Sequence, residues 1–125
     1  MALTQSEAIW ALSFSMGMAD GDFTDQELEE VIYNNPVYNE YFKKIDLDLL
    51  KVKIKRGEAT KEAAVSTLKA RSVDTQLDAL ACVWHVLIAD GVMAEGEKQL
   101  MAELLNEFDI DIDSVSSRLE KIAGK

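Results

Sequence analysis

The sequence predicts an all-α protein, a single-domain bundle of about seven or eight helices spanning residues 1–125. Three observations predict this class. The chain has 125 residues, the size of one domain. Its only proline is Pro36, and the alternation typical of a half-buried strand is confined to residues 51–55. Residues that begin or end helices recur along the rest of the chain.

Two segments carry apolar arcs so wide that each predicts a helix near the centre of the fold. The first segment covers residues 3–19 and the second covers residues 73–89. Both have large apolar side chains at helical spacing on two adjoining faces, among them Ile9, Leu12, Phe14, Met16, Leu80, Trp84 and Leu87. We therefore expect these two helices to be the most buried.

Shorter helices are predicted from capping residues. Asn35 followed by Pro36 is typical of a cap and first turn. Asp46 can cap a helix that runs to Arg56 and stops at Gly57, and Thr60 can cap another that runs to about Ala70. In the last third of the chain, the sequence predicts helices over roughly 94–107 and 114–123, and the second of these ends at Gly124.

Charge is unevenly distributed along the chain, whose net charge is −10. Residues 1–42 carry −8, residues 43–71 carry +5, and residues 72–125 carry −7. Overall acidity argues against nucleic acid as a partner. The basic middle could dock an anionic surface, but a solvated face that balances the acidic thirds is the favoured interpretation. Its basic residues include Lys43, Lys44, Lys51, Lys53, Lys55 and Arg56.

Location follows from what the sequence lacks. No stretch approaches the ~20 apolar residues of a membrane span, and the first residues do not resemble a secretory signal. The single cysteine, Cys82, excludes an internal disulfide and fits a reducing compartment. We expect a cytoplasmic protein without membrane insertion.

An internal repeat is the strongest signal. Residues 18–28 (MADGDFTDQEL) match residues 88–98 (IADGVMAEGEK) with four identities in eleven positions. Phe14 and Trp84 also correspond upstream. Each copy is predicted to be a buried helix, an Asp-Gly turn and an acidic helix, so the bundle should contain a pseudo-symmetric helix-turn-helix repeat.

This duplicated A-D-G-x-φ-x-x-x-E pattern in a small acidic helical protein resembles the tellurite-resistance TerB family and its wider superfamily, related to the N-terminal domain of membrane-anchored J-domain co-chaperones. The resemblance implies a bacterial non-enzymatic protein of stress-response complexes, with protein partners and peripheral membrane association through a membrane-bound partner. It also implies divalent-cation binding (Ca²⁺, Mg²⁺ or Mn²⁺) at acidic positions. In this chain those positions are Asp20, Asp22, Asp25, Glu27, Asp90, Glu95 and Glu97.

The residues themselves leave two interpretations of the turns open. Gly21 can end a helix, and Thr24 with Glu27 can form a capping box, so the turns can be purely structural. Asp20 and Asp90 are not explained by capping, because a carboxylate in the last turn of a helix is unfavourable. Each therefore needs a partner, which is either the turn's own N–H groups or a hard cation. The glycine position excludes an EF-hand.

A further candidate cluster combines a carboxylate, a thiol and an imidazole. Asp78, Cys82 and His85 share one face of the second apolar helix. They could form a zinc site or a nucleophilic set, but the chain has no other Cys or His, and a buried cysteine is usually structural. The leading hypothesis is therefore a non-enzymatic cation-binding module, and the alternative is a protein-interaction or assembly adaptor with purely structural turns.

Overall fold

The computed structural model describes residues 3–17, 29, 35–43, 45–87 and 95–123. Within them the chain forms seven helices and no strand, which confirms the predicted all-α class. Residues 51–55, where the alternation was noted, are helical. The helices are α1 (Gln5–Gly17), α2 (Pro36–Phe42), α3 (Leu47–Lys55), α4 (Lys61–Lys69), α5 (Val73–Leu87), α6 (Glu95–Phe108) and α7 (Ile112–Ala123).

Helices α1 and α5 form the centre of the bundle. Helix α1 packs against α4 and α5, while α5 also contacts α4, α6 and α7. Most of their apolar side chains are buried in one shared core. The two segments expected to be most buried are thus central in the part of the chain that the structure describes.

The two tryptophans differ in burial, although both lie on helices that the sequence predicts to be the most buried. Trp10 of α1 is only 1% exposed, and its ring meets that of Phe42 edge-on at 5.6 Å. Trp84 of α5 is half-buried, because α5, α6 and α7 leave a surface groove of about 230 Å³ beside its ring. Trp10, rather than Trp84, is therefore the aromatic centre of the core.

The predicted caps at Asn35, Asp46 and Thr60 are confirmed. The Asn35 side chain accepts a hydrogen bond from the backbone N–H of Val37 at 2.9 Å. Asp46 and Thr60 accept the backbone N–H three residues further on, at 3.0 and 3.1 Å. Gly57 has φ of 76°, the left-handed conformation that ends a helix at low cost.

A capping box that the sequence analysis missed begins α1. The Glu7 N–H donates to Thr4 Oγ1 at 3.1 Å, and the Thr4 N–H donates to Glu7 Oε1 at 3.0 Å. Glu7 also accepts from the ammonium of Lys53 on α3. Lys53 is buried, so the interpretation of the whole basic middle as a solvated face is wrong at this residue.

Predictions that concern Gly21, Thr24, Glu27 and Gly124, including the capping box of the first turn, lie outside the described residues.

Candidate functional site: two helices that precede acidic motifs

The two central helices correspond in their position relative to the repeated motif and in their pattern of burial. The described part of α1 ends at Gly17 and that of α5 at Leu87, the same offset as that of the repeated motif. Residues 9–16 and 79–86 have the same burial at every position. In both helices two consecutive residues are half-buried among buried neighbours, namely Phe14 with Ser15 and Trp84 with His85. The repeat thus extends from the motif into the packing of the helices that precede it.

Only two of the predicted cation ligands lie in the part of the chain that the structure describes. They are Glu95 and Glu97, at the beginning of α6 in the second copy. Glu95 opens α6, and its side chain is 84% exposed. One of its oxygens lies 3.8 Å from Lys98 Nζ, a loose ion pair within one helical turn. The backbone of Glu97 lies in α6, and its side chain is outside the described residues.

The remaining predicted ligands also lie outside the described residues: Asp20, Asp22, Asp25, Glu27 and Asp90. Among the residues that are described, no three His, Cys, Asp or Glu side chains come together in a metal-binding arrangement. The Glu95 carboxylate offers the oxygen donors that a hard cation prefers. Its exposed, loose ion pair with Lys98 contributes little free energy, so a cation could displace it.

Asp78 belongs to the candidate cluster that it forms with Cys82 and His85 on α5. Its side chain is held by two neighbouring helices. Its carboxylate accepts from the Tyr41 hydroxyl of α2 at 2.6 Å and from Arg118 Nη1 of α7 at 3.2 Å. Arg118 also donates to Asp74, one turn earlier on α5, at 2.6 Å. These contacts join α2 and α7 to the central helix, so Asp78 has a structural role.

Cys82 and His85 likewise have local partners. The Ser13 hydroxyl of α1 donates to the Cys82 sulfur at 3.4 Å. The Tyr38 hydroxyl of α2 lies 2.5 Å from His85 Nδ1, and the two rings meet edge-on. The three residues therefore contact different neighbours instead of converging on one site.

Electrostatics favour the uncharged forms of these groups. Burial raises the pKa of the Cys82 thiol to about 12, which leaves almost no thiolate at neutral pH. Burial also lowers the pKa of His85 below its usual 6.5. The pKa of Tyr38 is raised, chiefly by burial. A protonated phenol and a neutral imidazole form a hydrogen bond that needs no countercharge.

Sequence analysis did not find the hydroxyl contacts of Tyr38 and Tyr41. Both tyrosines lie on α2, three residues apart, so they share one face of that short helix. Tyr38 contacts His85 and Tyr41 contacts Asp78, two residues that lie two turns apart on one face of α5. These pairs are visible in the sequence only when the contact of α2 with α5 is known.

The fold and the repeat define a class: an acidic helical bundle in which two buried helices each lead into an Asp-Gly motif. The family model described as tellurite resistance protein TerB matches residues 6–118. The chain therefore belongs to the TerB family, as its motifs indicated. No curated protein and no solved structure matches it. In the described parts of the chain, no helix combines the length and apolarity needed to cross a bilayer.

Proposed function

We propose that this protein is a non-enzymatic, cytoplasmic binding module of the tellurite and stress response. In this proposal it binds a divalent cation at its two Asp-Gly turns and docks to protein partners, with peripheral membrane association through a membrane-bound one. The observation that supports it is the correspondence of α1 and α5, since two helices with matched burial each precede one copy of the acidic motif. Membership of the TerB family supports it independently.

One acid of each copy lies shortly after a central helix. Asp20 and Asp90 each follow the described end of a buried helix by three residues. The end of a helix carries free carbonyl groups and partial negative charge, which disfavour a carboxylate by about 0.3–1 kcal/mol. A bound cation removes this penalty and takes both carboxylate and carbonyl oxygens as ligands. That the same acid recurs in both copies supports one role for both.

Oxygen ligands restrict the choice of ion. The acidic positions of both copies contain no His or Cys, so Ca²⁺, Mg²⁺ and Mn²⁺ are favoured over softer metals. The first copy should bind more tightly, because Asp22 offers an oxygen where the second copy has Val92. In the second copy the exposed Glu95 is the ligand whose surroundings are described, and only a loose contact with Lys98 competes for it.

The alternative is an interaction or assembly adaptor whose turns are purely structural. The position of Glu95 favours it, since this carboxylate lies in the first turn of α6, where the helix dipole stabilises negative charge. In that case the acidic motifs cap helices and present negative charge to a basic partner protein. The two functions predict different responses to added metal.

Thermal melting of metal-stripped protein separates them. Millimolar Ca²⁺, Mg²⁺ or Mn²⁺ is added at constant ionic strength, which removes screening of the net charge of −10 as an explanation. A cation that binds only the folded state at a hundredfold excess over its Kd adds about 2.7 kcal/mol of stability. Asp20→Asn should lose most of this added stability, and Asp90→Asn should lose a smaller part of it.

Asp113→Asn is the matched control, because Asp113 is an exposed acid of α7 outside both motifs. It should leave the gain unchanged. Equal melting temperatures with and without every ion would reject the cation site and favour the adaptor.

A further inference from the structure

The groove beside Trp84 is an apolar concave surface between α5, α6 and α7, with a volume of about 230 Å³. Its lining is Trp84, Lys98, Met101, Ala102, Leu105 and Ile112. Trp84 is half-buried, and Ile112 is 41% exposed. A tryptophan in a concave apolar surface is typical of docking sites, because its large ring gains much when a partner covers it. We call this surface the Trp84 groove.

A polar recess of about 230 Å³ adjoins the Trp84 groove at the turn between α6 and α7. Its lining is Leu105, Asn106, Asp109, Ile110 and Asp111. Leu105 lines both the recess and the groove, although it is only 8% exposed, so the two meet at this small patch. Asp111 of the recess also precedes Ile112 of the groove in the chain. The groove and the recess therefore form one continuous surface, apolar at one end and polar at the other.

The recess is negatively charged. No described cation lies within ion-pair distance of Asp109 or Asp111. Asp111 accepts a hydrogen bond from the backbone N–H of Ser114 at 2.8 Å, and this bond lowers the pKa of its carboxyl group. Helix α6 ends at Phe108, directly before the recess, and the C-terminal end of a helix adds partial negative charge. A positively charged group is therefore favoured in this recess, which we call the acidic recess.

The other charges around this surface do not reverse its sign. Lys98 lines the groove about 10 Å before the recess along α6, and its ammonium lies 3.8 Å from the carboxylate of Glu95, which offsets it. The next base along the chain is Arg118, whose guanidinium is bound by Asp74 and Asp78 of α5. Residues 99–113 carry five acids and no base: Glu103, Glu107, Asp109, Asp111 and Asp113. The surface is thus close to neutral beside Lys98 and strongly negative at the recess.

We propose that the Trp84 groove and the acidic recess together bind a basic segment of a partner protein. One large apolar side chain of the segment lies in the groove, and a Lys or Arg one or two residues away lies in the recess. The volume suits one side chain, because a cavity of about 150 Å³ holds benzene. This inference rests on the partner-docking part of the proposed function and is independent of its cation site.

Other occupants fit this surface less well. An anionic lipid surface or an acidic protein segment would be repelled by the five acids around the recess. A second copy of the chain brings a net charge of −10, which opposes association. A metal ion would not use the groove, and the described carboxylates do not converge in a metal-binding arrangement. Only an occupant with an apolar group and a neighbouring cation uses both parts.

An NMR titration of metal-free, ¹⁵N-labelled protein at low ionic strength tests this binding. The probe is the peptide acetyl-Gly-Phe-Gly-Arg-Arg-Gly-amide, which carries one apolar anchor beside two cations. Because the contact is small, we expect a Kd of roughly 0.1–1 mM. The largest shifts should occur at the indole N–H of Trp84 and at the amides of Asp109 and Ile112.

Two matched peptides separate the apolar and the charged contribution. One has Ala in place of Phe and the other has Glu in place of both Arg residues. Each should bind about tenfold more weakly or worse, since the first leaves the groove empty and the second places like charges at the recess. Because no metal is present, the result does not depend on whether the acidic motifs bind a cation.

Two double variants test the charge of the recess. Asp109→Asn/Asp111→Asn keeps the fold, because Asn tolerates the left-handed conformation of Asp109 (φ 54°) and caps a helix as well as Asp does. This variant should weaken binding of the Arg peptide about tenfold. Glu103→Gln/Asp113→Asn is the matched control, because it removes the same charge from exposed acids that line neither the groove nor the recess. It should weaken binding less than about twofold.

A single substitution tests the groove. Ala102 is exposed on α6 and lines the groove, so Ala102→Phe fills it from the rim without altering the core. Binding of the Arg peptide should weaken about tenfold, because the apolar anchor loses its site. Circular dichroism verifies that every variant is folded.

The proposal is overturned if the Arg peptide causes no shifts, or if the Glu peptide binds as tightly. Equal weakening by the recess variant and its control would show a general effect of charge and would also overturn it. Shifts confined to Met16, Gly17 and Glu95 would place partner docking at the acidic motifs and reject this surface. Shifts at Ile112 on concentrating the protein without peptide would assign the groove to a second copy.

Discussion

The ammonium of Lys53 lies 2.9 Å from both carboxylate oxygens of Glu7 in the interior of the protein. The two residues are 46 positions apart, and both side chains are buried. Glu7 also completes the capping box of α1, so one carboxylate fixes the start of α1 and attaches α3 to it. Burial raises the pKa of Glu7, but the hydrogen bond from Thr4 and the contact with Lys53 outweigh burial, and the net pKa lies below 4.5.

Breaking this pair should destabilise the fold strongly. Lys53→Met leaves the Glu7 carboxylate buried without its cation, which should lower the free energy of unfolding by about 3–5 kcal/mol. The double variant Glu7→Gln/Lys53→Met leaves no buried charge, so its free energy of unfolding should fall less than that of Lys53→Met. Urea denaturation measures both, with Lys69→Met as an exposed control. A loss below about 1 kcal/mol for Lys53→Met would contradict the role of the pair.

The two tryptophans should differ in their contribution to stability. Trp10→Ala empties a fully buried site and should lower the free energy of unfolding by about 3–5 kcal/mol. Trp84 is half-buried beside the surface groove, so Trp84→Ala should cost less, about 1–3 kcal/mol. Chemical denaturation of both variants in parallel checks the order. A larger loss for Trp84→Ala would show that the core is centred on α5 rather than α1.

His85 should make stability depend on pH. Its pKa in the folded protein is below 6.5, so between these two values the unfolded chain binds the proton first. Stability is therefore complete above about pH 6.5 and falls as the pH drops toward the folded pKa. His85→Gln keeps a hydrogen-bonding partner for Tyr38 and cannot titrate.

Unfolding free energies at about pH 7.5 and 5.5, both above the range in which Glu7 titrates, isolate this effect. The original chain should lose more stability between the two pH values than His85→Gln does. Equal losses would mean that His85 accepts a proton in the folded state as readily as in the unfolded chain.

Cys82 should be chemically inert in the native protein. Its side chain is fully buried, and its pKa of about 12 leaves little thiolate. An aromatic disulfide reagent should label native protein orders of magnitude more slowly than protein in urea, because labelling requires opening of the core. Labelling at the rate of the unfolded chain would contradict this assignment.

Much of the fold could be predicted because it depends on local signals. The caps at Asn35, Asp46 and Thr60 act within three residues, and the apolar arcs of α1 and α5 follow from helical spacing. The family could be predicted for the same reason, since its motif is contiguous in the chain.

Contacts between distant helices could not be predicted this way. Nothing near Lys53 in the sequence distinguishes it from Lys51 or Lys55, and only the packing of α3 on α1 directs it to Glu7. Trp84 has the sequence pattern of a core residue, but the groove beside it depends on how α6 and α7 meet α5. The hydroxyls of Tyr38 and Tyr41 find His85 and Asp78 only because α2 crosses α5.

Paramagnetic broadening by Mn²⁺ tests the central claim, that the repeated acidic motifs bind a cation. Substoichiometric Mn²⁺ is added to metal-free ¹⁵N-labelled protein, and amide signals near a bound ion disappear first. We predict loss at the end of α1 (Met16 and Gly17) before loss around Glu95, with Asp20→Asn abolishing the first effect. Broadening that is strongest around the exposed Asp109, Asp111 and Asp113, or uniform over the chain, would contradict the claim.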